Sequence, residues 1–247
     1  LQQFPLNLWP QTPRSHAHLM SDIQVLVISL AGSDERKKKV QSELDKTKFT
    51  WRFLEAVKGS ALETPPAEYK ADKVRGLLGF ELTPNELGCF LSHKKAWQAC
   101  VDKDVITIIF EDDFYLLPHF KNVVQFLSSN LELWDAVRLQ GLSNVSQELI
   151  QDVGEFSLVR NLGDAVGATA YIIKPHVAKI LIAASGDIYE PLDHFLEQFK
   201  FRLFAFRVTQ NSGIPRMCMV KFQFRTSSHF LRHVKFSAIS PQNASGV

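Results

Sequence analysis

Two short runs of almost uninterrupted apolar residues constrain the fold of this chain more than any other feature. They are residues 23–30 (IQVLVISL) and residues 104–110 (DVITIIF), and both are rich in β-branched side chains. A strand with one solvent-facing side alternates apolar and polar residues, whereas a strand covered on both faces of a parallel sheet does not. Both runs therefore predict central strands that lie between two layers of helices.

Helical patterns alternate with strands along the rest of the chain. Ser33-Asp34 opens a predicted helix, and residues 51–57 alternate as a returning strand. Thr83-Pro84-Asn85-Glu86 combines a capping box with proline at the first helical position, which predicts a helix to about Val101. The Pro-, Gly- and charge-rich stretch 59–79 is predicted to be a long connection. Further helices are predicted at 118–130, 175–184 and 190–199, and further strands at 135–140, 156–160, 168–173 and 202–208.

This order of elements predicts an α/β fold with right-handed βαβ units and a mostly parallel sheet that carries helices on both faces. The chain has 247 residues, of which 45% are hydrophobic and 22% charged, as in a globular domain. We expect a single domain over residues 21–247, preceded by a disordered leader at 1–20 that lacks the apolar core of a signal peptide. No apolar run is long enough to span a bilayer.

The three cysteines predict a reducing compartment. Cys89 and Cys100 are eleven positions apart on one predicted helix, about 16 Å along its axis, too far for a disulfide bond. Cys218 leaves an odd count, which favours the cytoplasm over a secreted location.

The net charge of +2 hides an uneven distribution. No acidic residue follows Glu197, and the segment 221–236 combines basic residues with Phe222, Phe224, Phe230 and Phe236. A basic, aromatic segment of this kind can rest on an anionic membrane surface, or its phenylalanines can pack in a core and leave an ordinary solvated face. We expect no nucleic-acid partner.

Three consecutive acids, Glu111, Asp112 and Asp113, follow the second buried run. Ligands of doubly wound folds bind at the carboxyl ends of strands, where this triplet is predicted to lie. Like charges at such spacing are costly unless a cation compensates them, and carboxylate oxygens suit Mn²⁺ or Mg²⁺. Alternation along an extended segment places Glu111 and Asp113 on one side and Asp112 on the other. An acidic turn without a metal remains the alternative.

Several ordered motifs point to one family. They are ISL at 28–30, SDER at 33–36, FLEAVKG at 53–59, TPNELGCFLSH at 83–93, EDDF at 111–114, GATAYII at 167–173 and PLDH at 191–194. Over residues 23–195 the chain resembles glycosyltransferase family 25, the family of bacterial lipooligosaccharide galactosyltransferases and their collagen-modifying relatives. One departure is Lys37, where the family often has a second arginine.

The resemblance implies a GT-A-type enzyme with a Rossmann-like sheet that uses Mn²⁺ (or Mg²⁺) to bind a UDP-sugar, most often UDP-galactose. Asp113 would ligate the metal, Glu111 would contact the metal, a metal-bound water or the ribose, and Asp112 would support either. The acceptor would be a glycolipid or oligosaccharide such as a lipooligosaccharide core. The remaining donor-site residues implied by the family are Ser29, Leu30 and Arg36 in the nucleotide pocket and Ala56 near the base. Gly167 and Thr169 would let the backbone approach the sugar, or the glycine serves only the turn before a strand.

Several positions keep more than one interpretation. His93 is either a hydrogen-bonded core residue or a contact to phosphate or the acidic triplet. Asp193, and next Glu190, are candidates for the base that deprotonates the acceptor hydroxyl, but Asp193 equally suits a helix cap. A late histidine often completes the metal site of such enzymes, and the sequence does not choose between His229 and His233.

Two other functions compete with an inverting transferase. A catalytically silent homologue that binds a nucleotide sugar and a partner has little reason to keep three acids together. A metal-dependent phosphohydrolase would need a nucleophile or a second ligand cluster, and the sequence supplies neither. We therefore expect a cytoplasmic metal-dependent transferase. Segment 221–236 keeps two interpretations, peripheral contact with the inner face of the inner membrane and core packing of its phenylalanines, of which core packing is slightly favoured.

Overall fold

The computed structural model describes residues 23–140, 145–153, 156–163, 167–199, 203–208 and 220–222. The helices are α1 (Asp34–Leu44), α2 (Ala71–Leu78), α3 (Pro84–Lys103), α4 (Phe120–Ser129), α5 (Pro175–Ala184) and α6 (Leu192–Gln198). The strands are β1 (Gln24–Ser29), β2 (Thr50–Glu55), β3 (Thr107–Glu111), β4 (Phe114–Leu116), β5 (Ala136–Arg138), β6 (Gln147–Val153), β7 (Phe156–Asn161), β8 (Ala170–Ile173), β9 (Leu203–Val208) and β10 (Val220–Phe222).

Eight strands form one sheet in the order β2-β1-β3-β8-β5-β9-β7-β6. β1 pairs in parallel with β2 and β3, and β5 pairs in parallel with β9. β8 lies antiparallel between β3 and β5, and β7 lies antiparallel between β9 and β6. All strands of this sheet other than β8 and β7 therefore share one direction, and the predicted α/β fold with a mostly parallel sheet is confirmed.

Helices cover both faces of the sheet, as predicted. On one face α1 and α4 pack against Val25, Val27 and Phe110. On the other face α2, α3, α5 and α6 pack against a second set of strand residues that includes Leu26, Ile109 and Tyr171. Alternate residues of β1 and β3 thus enter different cores, which explains why their sequences are apolar throughout.

The structure contains elements that the sequence patterns did not predict. α2 occupies part of the predicted connection 59–79, and Val74 is the buried residue of this short helix. β4 and β10 form a separate antiparallel ribbon. β6 has a largely polar sequence and lies at the end of the sheet.

Some sequence-based predictions fall on residues that the structure does not describe. These are the leader 1–20, Cys218, His229, His233 and, beyond the strand β10, the basic segment 221–236. Within the described part of the chain, no helix combines the length and the apolar composition needed to cross a membrane.

One edge of the sheet collects most of the predicted site residues. The parallel strands β1, β2 and β3 end there, and the antiparallel strand β8 begins there because Phe110 lies beside Ala170. The amide of Ala56 donates to the carbonyl of Ser29 at 2.9 Å, and the amide of Glu111 donates to the carbonyl of Thr169 at 2.9 Å. We call this edge, with residues 29–30, 56, 111–113 and 167–169, the site edge.

Glycine allows the start of α3 to approach the chain that leaves β2. A Cβ atom at Gly88 would lie 2.7 Å from the carbonyl oxygen of Val57 and 2.7 Å from the amide nitrogen of Gly59. The hydroxyl of Ser92 secures the contact, because it accepts from the amide of Val57 at 2.8 Å and donates to the carbonyl of Gly88 at 2.6 Å. This packing fixes α3 relative to the site edge.

Replacing Gly88 by alanine should therefore destabilise the protein. We expect Gly88→Ala to lower the free energy of unfolding by about 2 kcal/mol, because α3 must move away from the Val57–Gly59 backbone. Gly76→Ala is the matched control: Gly76 lies inside α2 with nothing within 4 Å of the position that a methyl group would take, so alanine should stabilise by about 0.5–1 kcal/mol. Urea denaturation measures both; equal effects of the two variants would contradict the close packing.

Candidate functional site

Neighbouring side chains of the protein compensate the negative charge of Asp112, the middle acid of the triplet. Its side chain is buried and accepts hydrogen bonds from the Ser29 hydroxyl at 2.7 Å and from Nη1 of Arg36 at 2.7 Å. The hydrogen bond to Asp112 is the main cause that raises the pKa of Arg36. Two predicted nucleotide-pocket residues, Ser29 and Arg36, thus converge on Asp112, while about half of the Arg36 side chain stays exposed.

Glu111 points to the opposite side, toward α3. Its Oε1 atom lies 3.5 Å from Sγ of Cys89 and 3.4 Å from Nε2 of His93. Glu111 and Asp112 therefore face different helices, as the predicted alternation requires. Burial, reinforced by the charge of Glu111, raises the pKa of the Cys89 thiol well above its ordinary value.

His93 is fully buried and belongs to a polar chain inside the core. Its Nδ1 atom lies 2.8 Å from the hydroxyl of Tyr171, and that oxygen also accepts from Nε1 of Trp97 at 2.8 Å. The structure thus combines the two alternatives for His93. It is a hydrogen-bonded core residue, and its other nitrogen lies near Glu111 of the acidic triplet.

Asp113 differs from its neighbours because it has an unpaired buried atom. Among the described residues Oδ1 of Asp113 has no hydrogen-bond partner, and the same holds for Oγ1 of Thr169. Burial, with the charges of Glu111 and Asp112, raises the pKa of Asp113 from 3.8 to about 6, although Arg36 opposes the shift. A desolvated carboxylate beside two other acids fits a divalent cation, which would compensate the charge that the protein leaves unpaired.

The remaining donor-site candidates line the same edge. Leu30 directly follows β1 and is 40% exposed, although large apolar side chains are usually buried. Gly167 precedes β8 with a φ of 117°, a value that L side chains rarely adopt, so glycine is required there. Its carbonyl accepts a hydrogen bond from Nη1 of Arg138 at 2.5 Å. Ala56 is half-buried beside the end of β1.

The two base candidates lie at the start of α6. Asp193 is in the first turn, where its Oδ1 accepts from the amide of His194 at 3.0 Å, and Pro191 occupies the N-cap position. Asp193 is therefore not the N-cap residue, but it lies where an acid interacts favourably with the helix dipole, as the alternative to a base expects. Its negative charge contributes, as one of the smaller causes, to the raised pKa of Cys89 in α3. Glu190 accepts from Nε2 of Gln198, and burial raises the pKa of Glu190.

Sequence reasoning missed Arg138 as a site residue. This arginine is 3% exposed at the end of β5, and its Nη2 lies 2.5 Å from Oε1 of Glu197 in α6. Together with the bond to Gly167, the ion pair connects β5, the start of β8 and α6. An arginine inside an otherwise apolar strand is the signal that could have found it.

Tyr171 stands out in the sequence only as part of the GATAYII motif, and Cys89 on an apolar helix face suggests no more than a small buried hydrophobe.

Comparisons with known proteins agree on one family. A family model described as glycosyltransferase family 25 (LPS biosynthesis protein) matches residues 22–196. Lipooligosaccharide biosynthesis protein lic2B of Haemophilus influenzae is 29% identical over 64% of this chain and 61% of that protein. Procollagen galactosyltransferase 2 of Homo sapiens is 29% identical over 70% of this chain and 29% of that protein. The probable inactive glycosyltransferase 25 family member 3 of Bos taurus is 28% identical over 70% and 31%, respectively. The chain thus spans less than two thirds of each relative.

The raised pKa of Asp113 predicts a pH-dependent effect on stability. At pH 8, without divalent cations, the native protein must hold a desolvated carboxylate, so Asp113→Asn should raise the free energy of unfolding by about 2 kcal/mol. As the pH falls through 6, the native state takes up the proton before the unfolded chain does, and the gain should approach zero near pH 4.

Urea denaturation at both pH values measures this difference. The exposed Glu63, changed to glutamine, is the control and should alter stability little at either pH. A gain for Asp113→Asn of the same size at pH 4 and pH 8 would contradict the desolvation of this carboxylate.

Proposed function

Because this chain belongs to glycosyltransferase family 25, we propose that it transfers a sugar, with galactose as the preferred one, from a UDP-sugar to a glycolipid or oligosaccharide acceptor in a reaction that depends on Mn²⁺ or Mg²⁺. The observation that carries the proposal is the unpaired, buried Oδ1 of Asp113, set among three acids at the carboxyl end of a central strand. The names of two relatives, a lipooligosaccharide biosynthesis protein and a procollagen galactosyltransferase, support the acceptor class and the galactose donor, respectively.

Asp113 and Glu111 would hold the cation. The bound ion would supply positive charge for the diphosphate of the departing UDP. Asp113 suits this role because Oδ1 of its desolvated carboxylate lacks a protein partner among the described residues. Glu111 suits it because Cys89 and His93 engage only its Oε1 atom. A cation bound in this way leaves the hydrogen bonds of Asp112 to Ser29 and Arg36 intact.

Asp112 would act as a positioning residue for the nucleotide pocket. It holds the Ser29 hydroxyl and one nitrogen of Arg36, which keeps the rest of the half-exposed guanidinium available for a phosphate oxygen. The exposed Leu30 and the half-buried Ala56 would contact the nucleoside, and Gly167 and Thr169 would approach the sugar.

Asp193 is our candidate for the base of an inverting single displacement. Its carboxylate would take the proton of the acceptor hydroxyl while that oxygen bonds to the anomeric carbon of the sugar. The bond from that carbon to UDP breaks, and its electron pair leaves with the β-phosphate. Glu190 is the second candidate, although its bond to Gln198 already engages one of its oxygens.

The site of the reaction is also a proposal. We place it in the cytoplasm, since the cysteines are odd in number and neither Cys89 nor Cys100 forms a disulfide within the part of the chain that the structure describes. The basic, phenylalanine-rich segment 221–236 would hold the enzyme at the inner membrane, close to a lipid-linked acceptor.

Two variants should separate donor binding from transfer. By titration calorimetry, wild-type protein should bind UDP more tightly with Mn²⁺ than with a chelator, and Asp113→Asn should lose the difference. Asp193→Asn should keep metal-dependent UDP binding but lose transfer from UDP-galactose by at least about 100-fold. Glu190→Gln is its control and should retain transfer.

The same experiment distinguishes the competing functions. A panel of UDP-galactose, UDP-glucose and UDP-N-acetylglucosamine tests the donor preference. Metal-dependent UDP binding without transfer or hydrolysis of any donor would favour a catalytically silent homologue, a class represented by the bovine relative. Metal-independent binding of UDP would contradict the role of the acidic triplet.

A further inference from the structure

A second group of potential metal ligands lies beside the acidic triplet. Cys89 and His93 are four residues apart on α3 and so share one face of that helix, which Glu111 meets from the end of β3. Sγ of Cys89, the nitrogen of His93 and the carboxylate oxygen of Glu111 all lie within 4.8 Å of one another. Within the described residues this group has three members.

The distance from Glu111 to His93 is long for a hydrogen bond, and the distances from Glu111 to both His93 and Cys89 match those between ligands of one metal ion. Oε1 of Glu111 lies 3.4 Å from Nε2 of His93 and 3.5 Å from Sγ of Cys89. A good hydrogen bond from nitrogen to oxygen is about 2.9 Å long. By contrast, ligands of tetrahedral zinc at about 2.3 Å (sulfur) and about 2.1 Å (nitrogen and oxygen) are separated by about 3.4 Å for nitrogen and oxygen and about 3.6 Å for sulfur and oxygen.

We therefore infer that Cys89, His93 and Glu111 form a zinc site. A thiolate, an imidazole and a carboxylate are a ligand set that favours Zn²⁺, whereas Mn²⁺ and Mg²⁺ prefer oxygen ligands alone. Three protein ligands leave the fourth tetrahedral position to a water molecule. On binding, Zn²⁺ replaces the proton of the Cys89 thiol, and the proton passes to the solvent.

The core around His93 holds the imidazole in a suitable orientation. The ring is fully buried, stacks on Tyr171 with 5.7 Å between ring centroids, and places Nδ1 2.8 Å from the Tyr171 hydroxyl. When Nδ1 donates its proton to that oxygen, Nε2 presents a lone pair toward Cys89 and Glu111. Zinc-bound histidines are held in this way through their second nitrogen.

The zinc site is distinct from the proposed donor site, although both use Glu111. Oε1 of Glu111 faces Cys89 and His93, and neither of these two residues engages its second carboxylate oxygen. Zinc would thus tie α3 to the end of β3 and fix the first acid of the triplet. Asp113 is not part of the group, so the zinc site does not use its carboxylate as a ligand.

Cobalt is a spectroscopic probe for this site. We expect the full chain, stripped with a chelator and titrated with Co²⁺, to develop a thiolate-to-cobalt charge-transfer absorption and tetrahedral d–d bands at one ion per chain. Zn²⁺ should displace the cobalt. Cys89→Ser should abolish the charge-transfer absorption and weaken zinc binding by at least about 100-fold, because a direct ligand is lost.

Matched variants make the result specific. Cys100→Ser changes another cysteine of the same helix and should keep the absorption. His93→Gln should weaken zinc binding but retain a cobalt–thiolate absorption at high cobalt, which shows that the variant is folded around Cys89. The absence of the absorption from wild-type protein, or its persistence at full strength in Cys89→Ser, would overturn the zinc site. Neither result depends on sugar transfer, so the proposed function is tested separately.

Discussion

The two hydrogen bonds that Asp112 accepts from Ser29 and Arg36 determine how the site edge is organised. They join the ends of β1 and β3 to the start of α1, and they compensate one of three adjacent negative charges inside the protein. The other two acids are treated differently: Glu111 turns toward α3, and Asp113 keeps a buried oxygen without a partner among the described residues. The three consecutive acids therefore lie in three different chemical environments.

This division gives the edge two kinds of potential cation site. The carboxylate of Asp113 supplies hard oxygen ligands close to the half-exposed Arg36. This combination suits a diphosphate and the metal ion bound to it. Cys89 and His93 offer softer ligands a few ångströms away on the helix side of Glu111. The backbone contact of Gly88 with Val57 and Gly59 holds α3 in the position that brings both sites together.

The sequence predicted those parts of the molecule whose signals are local. The uninterrupted apolar runs predicted β1 and β3, and the capping box predicted the start of α3, where Thr83 and Glu86 exchange the expected bonds. The reversed direction of β8 was not predictable, because pairing partners far apart in sequence decide it. The environment of Cys89 was not predictable either, because it depends on Glu111 from another element. Arg138 carries a local signal, an arginine in an apolar strand, but its partners Gly167 and Glu197 come from distant parts of the sequence.

The central claim is that the acidic triplet binds a cation against the diphosphate of a nucleotide sugar. Anomalous diffraction at the manganese edge, from crystals grown with UDP and Mn²⁺, tests it most directly. We predict a manganese peak at coordinating distance from the Asp113 carboxylate, with the UDP diphosphate on the other side of the ion and Arg36 in contact with it. Manganese and UDP bound elsewhere, with Asp113 facing solvent, would contradict the claim and leave only the α/β fold and the family membership.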